Sequence, residues 1–143
     1  MSYAIKNDHS SMRFVNSPEE IAEGEYYSET PIVVTGSIPE KISAKRYSKE
    51  IAGITVDGLL IDTDDRSKLL ISGAALEAVL NPEYSMQWKV KDGFVPFTAE
   101  KILRVARAVR LHVQKCFDRE AELLQMVDNG TYTEAELDKG WPT

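Results

Sequence analysis

A chain of 143 residues with 43% apolar and 28% charged residues is long enough to bury one sizeable core and too apolar to remain disordered. Its formal charge of −6 and pI near 5.0 argue against a general nucleic-acid or anionic-membrane binder, because both need a concentrated positive field. The single cysteine, Cys116, excludes an intramolecular disulfide and a multi-cysteine zinc site and makes a reducing compartment the expectation.

The opening Met1-Ser2-Tyr3-Ala4-Ile5 lacks the apolar core of a signal peptide, and no run approaches bilayer-spanning length, so a cytoplasmic protein is expected. Residues 1–30 read as a small β-rich module. Tyr3 to Ile5 forms a strand, Asn7 to Ser10 a turn, Met12 to Val15 the return strand, and Glu25 to Ser28 a third strand. Between them, Ser17-Pro18-Glu19-Glu20 has the form of a capping box with proline at the first helical position, and Gly24 stops it. The module has too few apolar side chains to stand alone and must dock on something.

Residues 31–49 read as a linker with one short strand around Ile32-Val33-Val34, followed by a short helix from Pro39 to Lys49 with a thin apolar face. Residues 50–143 then carry an α+β domain made of two consecutive hairpin and helix units (ββαββα). Asp57-Gly58 and Asp92-Gly93 each suit a type I′ turn, which needs φ > 0 at both central positions. The first hairpin pairs Val56 with Leu59 and Ile54 with Ile61 on one face, leaving Thr55 and Leu60 on the other. The second pairs Val90 with Val95 and Trp88 with Phe97, with Gln87, Lys89 and Lys91 pointing away and Pro96 on an edge strand.

Each turn is followed by a threonine suited to cap a helix, Thr63 and Thr98. The pattern recurs 35 positions apart, from Asp57 to Asp92, either as a duplication or as two instances of a common arrangement. In the first helix, Leu69, Leu70, Ala74, Leu76 and Ala78-Val79-Leu80 are expected to supply the packing surface, and Asn81-Pro82 ends it. The second helix, from about 99 to 128, carries one apolar stripe through Ile102, Val105, Val109, Val113, Cys116, Phe117, Leu124 and Val127. Glu120 interrupts the stripe, so the core is expected to end near Phe117 with the last turns projecting or meeting a partner. Thr133 to Glu136 forms a second capping box opening a short last helix, and Trp141 is expected to fold back.

No pattern for a phosphate loop, a dinucleotide-binding loop, a nucleophile elbow or a zinc protease occurs, so neither an enzyme nor a cofactor is expected. Asp62-Thr63-Asp64-Asp65 starts like a calcium loop but continues with Arg66, Ser67 and Gly73 where the loop needs an oxygen ligand, Gly and Glu, so it reads as helix capping. His112 and Cys116 are four apart and can touch, but a buried thiol beside a satisfied histidine accounts for them; His9 is read as an exposed turn residue. Lys101, Arg104, Arg107, Arg110 and Lys115 form a ridge interspersed with carboxylates, which suits a solvated face with pairs such as Glu100 and Arg104 better than a phosphate-binding surface.

Two segments carry a resemblance. Met1 to Asp8, Met12 to Ser17 and Glu25 to Thr30 resemble the amino-terminal segment of phage tail-fibre assembly and tail-fibre-associated proteins, with His9 and Met12 where such sequences often carry Gly and Trp. From Lys45-Arg46 onward, Glu50 to Gly58, Ile61 to Asp64, Trp88-Lys89, Asp92 to Val95, His112 to Phe117 and Gly140-Trp141-Pro142 resemble a DUF4376-like domain of unknown function found in tailed-phage tail proteins. The resemblance implies a tail-fibre assembly chaperone in the bacterial host cytoplasm, acting on a fibre or baseplate protein. Its alternative is a component retained in the virion tail, trimeric through the long helix, and a nucleic-acid-binding or phosphate-binding regulator is a remoter one. Partner contacts are expected among exposed aromatic residues, led by Tyr26, Tyr27, Phe94, Tyr132 and Trp141.

Overall fold

The computed structural model describes residues 1–32 and 36–143, and the strand expected at Val33-Val34 falls outside them. The protein is of the α+β class, with small antiparallel sheets, three α-helices and a β-rich amino-terminal part. Its order is β1 (Ser2–Lys6), β2 (Met12–Val15), β3 (Glu25–Ser28), α1 (Ile38–Glu50), β4 (Ile54–Val56), β5 (Leu59–Ile61), α2 (Asp65–Leu80), β6 (Ser85–Val90), β7 (Gly93–Thr98) and α3 (Ala99–Asp128). The chain divides into two compact units. Met1–Arg46 groups with Asp118–Gly140, and Tyr47–Phe117 groups with Trp141–Thr143. The last turns of α3 therefore belong with the amino-terminal sheet, whereas the sequence assigns all of 50–143 to one domain.

In the first unit β1 is the central strand, flanked by β2 and β3 in antiparallel register. The sheet lacks enough apolar side chains to make a core alone, and the unit's buried set completes it with helix residues: Ile5 and Val15 from strands, Ile38 and Ile42 from α1, Leu123 and Val127 from α3. The thin face of α1 is sufficient because those two isoleucines, at i and i+4, are its buried apolar positions. Instead of projecting beyond Phe117, α3 buries its last turns. Glu120, which breaks the stripe, is half-buried and paired with Arg46 at 2.7 Å.

Buried Arg119 donates to the carbonyls of Lys139 (2.8 Å) and Glu136 (3.1 Å) and pairs with the Glu136 carboxylate at 3.2 Å. That use of Glu136 explains why the expected capping box at Thr133 does not form: Glu134–Asp138 is a single 3₁₀ stretch with no side-chain cap. Gly140 sits at φ +76°, and a Cβ there would lie 2.6 Å from Arg119 Nε, so glycine alone fits beside the anchored guanidinium. Ser17 likewise makes no cap to the 3₁₀ turn Pro18–Glu20, whose Glu20 side chain accepts from Asn16 N at 3.1 Å.

The second unit holds a core of Val56, Ile61, Ile71, Phe97, Ile102, Val105 and Val109, with Ala78 and Ala99. The β4–β5 hairpin has the expected register and a type I′ geometry, with Asp57 at φ +51° and Gly58 at φ +78°. The β6–β7 hairpin differs. Val90 pairs with Gly93, Trp88 with Val95 and Met86 with Phe97, two residues from the expected register. Asp92 keeps a negative φ and Gly93 alone takes a positive one, +130°, so Lys91 and Asp92 make the turn. Because the slip is by two, every side chain keeps its face, and Trp88 and Phe97 stack diagonally at 5.8 Å.

Thr98 caps α3, accepting from Lys101 N at 3.3 Å. Thr63 does not cap α2. Asp64 does, accepting from Ser67 N at 3.3 Å, while the fully buried Thr63 hydroxyl is taken by the backbone at the end of α1.

Candidate functional site

The helix α2 carries apolar residues around its whole circumference, but a helix packed on one side of a core buries only one stripe. Ile71 and Ala78 are buried and Ala74 and Ala75 half-buried; Leu69, Leu70, Leu76, Val79 and Leu80 stand 51–73% exposed. The sequence assigns these leucines to the packing surface, and the fold corrects that assignment, because the second unit covers α2 on the Ile71 and Ala78 side alone. The all-round apolar pattern between residues 69 and 80 is the signal that could have revealed it.

At about 100° per residue, Val79, Leu76 and Leu80 follow one another within about 140° of Ala75. Ala75 in turn lines a groove of about 640 Å³ with Leu103, Ala106, Arg107, Ala108, Arg110, Leu111 and Gln114 of α3. Leu111 is 56% exposed. The outward face of α2 and this groove thus make one continuous apolar surface, larger in kind than the scattered exposed side chains of an ordinary surface.

The electrostatics of its rim differ from those of the whole acidic chain. Arg104 is engaged by Asp57 at 2.8 Å and by Glu100 at 3.5 Å, as expected for the latter pair, and Lys101 lies 4.9 Å from the centre of the Phe97 ring. Arg107 and Arg110, in contrast, are exposed with no carboxylate within ion-pair reach among the described residues.

The aromatic residues singled out in the sequence are distributed between the units. Tyr26 and Tyr132 come together in the first, lining a cleft of about 340 Å³ with His9, Ile38, Val127 and Glu134. His9 is not an isolated exposed residue: it sits at φ +56°, half-buried, with its Nε2 3.1 Å from the Tyr26 hydroxyl. The Tyr132 hydroxyl is buried without a partner among the described residues, and burial, then the Glu134 and Asp138 carboxylates, hold its proton more tightly than in an ordinary tyrosine. Tyr27 is half-buried and donates to Ser2 Oγ at 2.7 Å. In the second unit Phe94 is 66% exposed beside Trp88 and Lys89, and Trp141 is half-buried.

The remaining constellations are occupied structurally. Asp64 caps α2, and Asp65 accepts from the Tyr47 hydroxyl at 2.8 Å and pairs with Lys68 at 3.2 Å. Among the described residues no three His, Cys, Asp or Glu side chains converge. His112 Nε2 lies 2.9 Å from the Lys49 carbonyl and 3.9 Å from Cys116 Sγ. A carbonyl only accepts, so Nε2 carries the proton it donates and is not a base for the thiol.

No curated protein and no solved structure matches this sequence. A family model, described as a domain of unknown function (DUF4376), matches residues 37–139, which take in α1, both hairpins, α2, α3 and the carboxyl-terminal 3₁₀ stretch; the chain belongs to that family.

Proposed function

We propose that this protein is a phage tail-fibre assembly chaperone, held in the host cytoplasm and working by reversible attachment to a fibre protein. The observation that carries this reading is the continuous apolar surface formed by the outer face of α2 and the α2–α3 groove, a surface suited to holding another chain. The resemblance of the first 30 residues to tail-fibre assembly proteins supplies the context. Unassembled fibre strands have open, aggregation-prone edges, so a small partner that shields them would favour assembly. The alternative trimer through the long helix draws less support, because Ile102, Val105, Val109, Cys116, Leu123 and Val127 on α3 are already buried by their own chain.

Co-expression with the adjacent fibre protein tests the proposal. The fibre is expected to become soluble and trimeric only when this chain is present, and mass spectrometry of purified virions is expected to find the chain absent. A stoichiometric copy number in virions would make it a retained tail component instead. A fibre that stays insoluble would remove the chaperone reading.

A further inference from the structure

We infer that the α2–α3 groove is the seat of an acidic amphipathic helix contributed by the partner protein. The inference rests on the proposed function only in taking the occupant to be another protein. The floor of the groove is made of small and aliphatic side chains, Ala75, Ala106, Ala108, Leu103 and Leu111, so its occupant contributes apolar side chains. Both walls are helices whose backbone groups are bonded internally, so the groove offers no ladder to an extended strand. An entering segment must satisfy its own N–H and C=O groups, and a helix does so.

The rim then selects charge. Arg107 and Arg110 line the groove with no carboxylate in ion-pair reach among the described residues, and a helix with acidic residues flanking its apolar stripe would supply them. A second copy of this chain does not fit as well. The described residues that line the groove include two guanidinium groups, Arg107 and Arg110, and no carboxylate. Two such faces brought together would confront four guanidinium groups across an apolar contact.

The test uses the full chain and two synthetic 18-residue helices that share one leucine stripe, one flanked by glutamate and the other by lysine. Fluorescence anisotropy at about physiological salt is expected to show the glutamate peptide binding roughly tenfold or more tightly than its lysine twin. The double variant R107E/R110E, whose sites are exposed and remote from the core, is expected to reverse that order with an unchanged melting temperature. Equal binding of both peptides, binding of neither, or an unreversed order in the double variant would overturn the inference. So would light scattering that finds a dimer dissociated by Leu76→Glu, since the face would then belong to a second copy. Peptide selectivity without fibre solubilisation would remove the fibre reading and leave the groove assignment standing; the converse would do the opposite.

Discussion

The hydroxyl of Thr63 donates to the carbonyl of Glu50 at 2.6 Å and accepts from the N–H of Gly53 at 2.9 Å, tying the last residue of α1 to the residue just before the cap of α2. Thr63 is fully buried, and Gly53, at φ +87°, lies too close to the Ile61 carbonyl for a Cβ to fit without displacement. The side chain therefore closes a helix end and a turn together.

Replacing Thr63 with valine keeps the shape and removes both hydrogen bonds, leaving a carbonyl and an N–H without that partner. A loss of about 1–3 kcal/mol is expected, measured by urea unfolding, with Thr63→Ser recovering most of it. If the residue acted only as a helix cap, asparagine or aspartate there would be tolerated. In a buried site occupied by one hydroxyl, neither is expected to be.

The exposed and buried apolar positions of α2 separate in the same assay. Ile71 is 3% exposed, and Ile71→Ala should cost about 3 kcal/mol through lost burial and the cavity left behind. Leu76 is 63% exposed, and Leu76→Gln should change stability by less than about 0.5 kcal/mol. Equal losses would mean that α2 packs on both sides.

The amino terminus of α2 predicts an acid limb. Hydrogen bonding from the Ser67 hydroxyl, then from its N–H, holds the Asp64 carboxyl below its ordinary value of 3.8, and donation by the Tyr47 hydroxyl, then by Lys68, does the same for Asp65. A carboxyl with a lowered folded pKa contributes stability that is complete above its unfolded value and disappears as pH falls through the folded one. Stability should therefore be level from neutral pH down to about 5 as far as these two groups are concerned, and decline below 4. Asp64→Asn, which keeps a capping oxygen but cannot titrate, should flatten that decline in denaturant melts taken from pH 6 to pH 2.5.

Much of this fold was legible in short-range pattern. The three strands of the amino-terminal sheet, the Asp57-Gly58 turn and its register, a helix expected from Pro39 to Lys49 and found at Ile38–Glu50, and the Thr98-capped helix α3 all follow from local chemistry: turn residues that accept positive φ, caps that satisfy end groups, and apolar spacing of two or near four. Competition between acceptors was less legible. Thr63 and Asp64 are both good caps, and which one serves depends on whether a distant backbone claims the other's hydroxyl. Glu136 likewise belongs to a capping box by sequence and to Arg119 by structure, because a buried guanidinium takes precedence over a solvated helix end.

The candidate site shows the same division. Periodicity established that α2 is apolar and α3 carries a stripe broken at Glu120, because both depend on residues a few positions apart. Which side of α2 meets the core, and that Arg46 neutralises Glu120 so that Leu123 and Val127 can still be buried, depends on side chains as many as 74 positions away in the chain. Burial is a property of what the rest of the molecule leaves uncovered. The sequence by itself determined the elements and their apolar content; the tertiary structure decided which leucines are core and which are surface.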